Sequence, residues 1–151
     1  MRTTANHDLR PARIAGHALR VGDAMHRGVL SCRPETPIRD VARMMAERRV
    51  HAVVVDGVRR DASGMEHLVW GVVSALDLAG RADVLDDLTT AGDLSATPAI
   101  VIGPDATLVE AGRLMHDYDV HHLLVVRSAD RRPEGVISTL DLAAAIAAGR
   151  V

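Results

Sequence analysis

The chain has 151 residues, nearly half of them apolar, enough for one compact domain or for two small halves sharing a core. Its net charge is −2, all 18 basic residues are Arg, and no basic block exceeds pairs such as Arg48-Arg49, Arg59-Arg60 and Arg131-Arg132, which excludes a broad electrostatic footprint for duplex DNA. The only aromatic residues are Trp70 and Tyr118, so stacking platforms for single-stranded nucleic acid are excluded too, and the core must be built from Val, Leu, Ile, Ala and Met.

Residues 1–20 carry four Arg and two His without the apolar stretch of a signal peptide, and are expected to be a flexible or partner-dependent arm. Val29 to Cys32 is a short apolar run closed by Pro34, hence a strand. Ile38, Val41, Ala42 and Met45 recur at helical spacing. Ala52 to Val55 is a β-branched strand, followed by the polar, Gly-bracketed stretch Gly57 to Glu66, which reads as an enlarged hairpin loop. Val69 to Val73 is the strand's partner, and Leu76 to Ala82 resumes helical spacing.

The order then recurs. Ala99 to Ile102 is a strand ended by Pro104, and Leu108, Ala111, Leu114 and Met115 mark a helix opened by a capping-box pair, Thr107 and Glu110. Leu123 to Val126 and Gly135 to Ile137 form a second hairpin, and Leu140 to Ala148 a last helix. No apolar run reaches the length of a membrane span, and the lone cysteine, Cys32, excludes an intramolecular disulfide and suits a reducing compartment. A cytoplasmic protein is expected.

The recurrence is a repeat. Gly22 to Asp56 aligns without gaps with Gly92 to Val126 at a shift of 70, with Gly22/Gly92, Pro34/Pro104, Met45/Met115 and His51/His121 among the identities. The shift becomes 64 for Gly71-Val72-Val73-Ser74-Ala75-Leu76-Asp77-Leu78 against Gly135-Val136-Ile137-Ser138-Thr139-Leu140-Asp141-Leu142, where six of eight positions match. Each copy reads as short helix, strand, helix, strand, strand, helix. A three-stranded sheet with helices on one face cannot bury both sides, so two copies packed sheet to sheet are expected, an α/β (α+β) architecture.

This order, with Gly-x-x-Ser-x-x-Asp closing both copies, resembles the cystathionine-β-synthase (CBS) domain, and two consecutive copies are similar to the pair called a Bateman module. The resemblance covers about residues 20–148 and implies an arm over 1–20, a first repeat over 21–84 and a second over 85–151, related by a pseudo-two-fold axis. It further implies clefts between the repeats for an adenosine-containing ligand: AMP, ADP, ATP or S-adenosylmethionine. A carboxylate in a helix's first turn can accept from both hydroxyls of a ribose and is favoured by the helix dipole. A Ser three residues earlier can offer its hydroxyl and nearby N–H groups to phosphate.

The resemblance crosses the sites between copies. One would combine Ser138 and Asp141 with Met25, Leu30, His51 and Ala52, the other Ser74 and Asp77 with Ser95, Ile100, His121 and His122. His122 stands where some relatives carry a phosphate-binding Arg, and the usual Pro before the middle strand's Val is absent.

The same residues have plainer roles. Asp77 and Asp141 are also helix N-terminal acids, and Ser74 and Ser138 are also N-caps. No Cys-x-x-Cys or His-Glu-x-x-His spacing supports a metal at His51, His116, His121 and His122, which are expected to line a ligand or to serve structure. Cys32 reads as a buried inert thiol, Met25, Met44, Met45 and Met115 as core or inter-subunit filling, and Arg43 and Arg113 as a solvated face.

Neither a nucleophile–base constellation nor a Gly-rich phosphate loop is present, so an enzyme is not expected, and no cofactor is required. The leading expectation is a stand-alone sensor that reports ligand occupancy to a separate effector protein, working as a homodimer through apolar helix faces carrying Met44 and Leu114. The alternative is a non-sensing scaffold with degenerate clefts. A nucleic-acid regulator acting through the arm ranks last.

Overall fold

Thr107 and Glu110 show how local chemistry sets the element boundaries. The Thr107 Oγ1 accepts from the Glu110 N–H at 3.1 Å while the Glu110 carboxylate takes the Thr107 N–H at 2.7 Å, and a helix begins there. In the computed structural model, which describes residues 18–60, 62–95, 98–127 and 132–151 (without the side chains of 58–60 and 66–68), the elements run in the expected order. They are α1 (Val21–Ala24), β1 (His26–Arg27), β2 (Ser31–Cys32), α2 (Ile38–Arg48), β3 (Ala52–Arg60), β4 (Glu66–Ser74) and α3 (Ala75–Gly80). The second copy supplies α4 (Ala91–Leu94), β5 (Val101–Ile102), α5 (Leu108–Asp117), β6 (His122–Val126), β7 (Pro133–Ser138) and α6 (Thr139–Ala147).

The copies repeat each other in detail. α2 and α5 are each followed by a left-handed residue, Arg49 (φ 53°) and Asp119 (φ 52°), after which Val50 and Val120 donate back to Met45 O and Met115 O at 3.1 and 3.0 Å. This turn throws the chain from each helix into its middle strand, and places Arg49 and Asp119 at equivalent points.

One sheet has the order β2-β3-β4 and the other β1-β7-β6-β5. Period-2 alternation divides the side chains. Val53, Val55 and Val73 face Ile38, Val41 and Met45, while Leu123, Val125 and Ile137 face Leu108, Ala111 and Met115. Val54 and Leu124 point the other way and are also buried, between the two sheets. The helices therefore lie outside and the sheets face each other, as expected of an α+β pair.

The opening helices cross over. Val21 and Met25 belong to the second copy's core, and Ala91 and Leu94 to the first copy's. Gly22 N–H donates to Pro104 O and Gly92 N–H to Pro34 O, both at 2.8 Å. Of the expected arm, residues 1–17 lie outside the described residues, whereas 18–20 are tied in: Leu19 N–H donates to Arg150 O at 3.2 Å, and Arg20 forms a bridge with Thr107.

Three features differ from expectation. β1 adds a fourth strand to the second sheet, pairing His26 with Val136 and Arg27 with Gly135. The six extra residues of the first copy lengthen the hairpin rather than its loop: pairing continues to Arg60 opposite Glu66. Met44 and Leu114, expected on exposed apolar faces, are half-buried against the two cores. Arg43 does sit on a solvated face, held by Asp40 at 2.7 Å.

Candidate functional site

The ends of β4 and β7 are built identically. Ser74 N–H and Oγ–H both donate to Asp77 Oδ2 at 2.7 Å, and Asp77 N–H donates back to Ser74 Oγ at 3.2 Å. Ser138 and Asp141 repeat this at 2.8, 2.7 and 3.4 Å. The capping role is therefore real, and the single proton of each Ser hydroxyl is committed to the Asp rather than offered to a phosphate. Oδ1 of each Asp remains the acceptor for an outside donor.

The two Oδ1 atoms differ in surroundings. Asp141 Oδ1 lies 3.3 Å from His26 Nδ1, delivered by β1. Among the described residues no such side chain stands against Asp77 Oδ1.

Among the described residues, two clefts between the sheets hold most of the residues grouped from the sequence. One, of about 370 Å³, brings Ser74 and Asp77 together with Ile100, His121 and His122, as the sequence grouped them. Val72 and Val120 add apolar wall; Tyr118 and Asp119 add a polar rim. The other, of about 140 Å³, brings Ser138 together with Leu30, His51 and Ala52. Asp141 reaches it through its bonds to Ser138. The larger falls within the usual range for small-molecule sites and the smaller below it.

Two grouped residues lie elsewhere. Met25 is buried in the second core under β7, where its Sδ comes within 2.9 Å of the point a Cβ on Gly135 would occupy. Ser95 Oγ donates to Gly92 O at 3.3 Å and lines neither cleft.

Sequence reasoning in turn missed His26 and Arg49 in the small cleft and Tyr118 and Asp119 in the large one. The repeat held part of the signal: residues 49 and 119 are equivalent, and each immediately precedes a Val-His pair.

His122 lines both clefts, and its repeat equivalent is Ala52, so one imidazole occupies the midline of the pair. Burial holds its pKa below the ordinary histidine value, with His121 and His51 pushing the same way and Asp141 and Asp77 opposing. Burial therefore favours its neutral form. Among the described residues no group of three or more His, Cys, Asp or Glu is arranged to hold a metal ion. Cys32, expected to be buried, is half-buried; burial and Asp56 raise its thiol pKa against a hydrogen bond from Thr36, which favours the protonated form. No described helix is long and apolar enough to cross a membrane.

Comparison with known proteins agrees with this geometry. The family model for the CBS domain matches residues 21–82 and 91–148. No curated protein matches by sequence. Similar solved structures include a hexameric CBS-CP12 protein from bloom-forming cyanobacteria (20% identity, TM-score 0.71, covering 83% of this chain and 69% of that one). Another is the CBS domain pair of protein MJ0100 in complex with 5′-methylthioadenosine and S-adenosyl-L-methionine (15%, 0.70, 87% and 98%). A third is a CBS domain protein from Pyrobaculum aerophilum complexed with AMP (24%, 0.66, 82% and 89%). At these identities the structures show a shared fold, while the two family matches span most of the chain: it belongs to the CBS domain family, as a tandem pair.

Proposed function

We propose that the chain is a regulatory binding module, not a catalyst, which takes an adenosine-containing ligand in the cleft of Ser74 and Asp77 and passes its occupancy to a separate protein. The observation that carries this reading is the placement of Asp77. Its carboxylate is fixed by Ser74 through Oδ2, and it lines a cleft of about 370 Å³ whose walls are the apolar Val72, Ile100 and Val120. A ribose diol can donate to the remaining oxygen while the base lies between the apolar walls. Relatives of the same fold are complexed with AMP or with S-adenosyl-L-methionine and 5′-methylthioadenosine, which supports this ligand class.

The effector reads a change in how the two sheets face each other, since the ligand touches both. Leu76 on α3 and Leu140 on α6, equivalent in the repeat, are exposed and offer an apolar face for a second copy, which supports a homodimer. No cofactor enters the mechanism.

The scaffold reading has two observations in its favour: the second cleft holds only about 140 Å³, and its carboxylate already contacts His26. Melting curves separate the two. With a ligand at a hundredfold its Kd, a sensor gains about 2.7 kcal/mol, or roughly 5–10 °C in Tm. Asp77→Ala abolishes the shift and Asp141→Ala retains it. A folded wild type whose Tm ignores AMP, ATP, S-adenosylmethionine, 5′-methylthioadenosine and NADH is a scaffold.

A further inference from the structure

The two clefts are copies in backbone but differ in charge: each has a Ser-bound Asp at its edge, and Arg49 in the small one is replaced by Asp119 in the large. Arg49 caps α2 at φ 53° and lines the small cleft; Asp119, just past the cap of α5 at φ 52°, lines the large one. Described charged side chains on the wall of the large cleft are therefore both carboxylates, Asp77 and Asp119, and no described Arg joins them. The other ionisable groups there are His121, His122 and Tyr118, and burial favours the neutral form of His122. A phosphate entering this cleft meets two negative charges and no fixed positive one, whereas a sulfonium is attracted by both and a thioether is indifferent.

Resting on the reading of this cleft as an adenosine site, we propose that it selects adenosine ligands without net negative charge, a neutral thioether nucleoside or its sulfonium cation, and rejects nucleotides. Asp119 sets that choice. Its position is suited to the role. The residue lies just past α5, solvent-exposed on the rim of the cleft, so that its charge faces an entering ligand without supporting the core. The molecule itself shows that Arg is tolerated in this left-handed turn, at Arg49.

Isothermal titration with 5′-methylthioadenosine, S-adenosylmethionine, AMP and ATP tests it, on wild type and on Asp119→Arg and Asp119→Asn. Wild type is expected to bind the first two at least about tenfold more tightly than AMP, with ATP weaker still. Asp119→Asn narrows that ratio and Asp119→Arg reverses it, while added salt narrows it in wild type. Unchanged melting temperatures show that both variants are folded. A wild type that prefers AMP or ATP overturns the charge rule, as does an Asp119→Arg variant with an unaltered ratio. A wild type that binds none of the four overturns the adenosine reading itself, and the charge rule with it.

Discussion

His122 couples the clefts to pH. Its folded pKa is depressed, mainly by burial, so the unfolded chain takes up this proton first as pH falls. The contribution to stability is complete above the ordinary histidine value of about 6.5 and is lost progressively below it, down to the folded pKa. Hydrogen bonds lower the pKa values of Asp86, Asp93 and Glu110, whose contributions disappear only at and below the ordinary carboxylate range, near pH 4. Melting temperature between pH 7.5 and 5 therefore reports His122. It should fall in wild type and fall less in His122→Gln; an equal slope in the two would show that the burial is not felt. At this scale the sequence was informative where chemistry is local. A capping pair three residues apart announces itself, and both Ser-Asp pairs formed. Met25 and Ser95 were misplaced because the direction of a side chain at the end of a four-residue helix depends on which sheet covers it, and no local pattern encodes that.

Among the elements, β1 depends on a missing side chain. A Cβ on Gly135 would lie 2.2 Å from His26 O, so β1 and β7 can approach only because residue 135 is Gly. Gly135→Ala should cost on the order of 3 kcal/mol in urea unfolding and release β1 from the sheet, taking His26 away from Asp141. A variant as stable as wild type would show that the strand yields freely. The helices and middle strands were legible because Val, Ile, Leu and Met recur at periods of 3.6 and 2 over a sufficient length. β1 was not, since two residues carry no period. The β3–β4 extension was hidden by its Gly, Arg and Glu, which read as a loop until pairing across the hairpin supplies their backbone partners.

For the whole molecule, self-similarity in the sequence was enough to give two copies and two facing sheets, but not the exchange of opening segments. Val21 and Met25 complete the second core, Ala91 and Leu94 the first. A break between Val84 and Leu85 leaves each piece without part of its interior. Fragments 1–84 and 85–151 should each give collapsed, poorly dispersed NMR spectra alone and a native spectrum when mixed; either one folding by itself would show that the exchanged helix is dispensable. The hydrogen bonds from Gly22 to Pro104 and from Gly92 to Pro34 do not depend on the covalent link between the copies. Two chains can therefore trade halves and rebuild these contacts, so the same bonds that close one molecule are able to join two, and intertwined pairs are expected to grow with protein concentration during refolding.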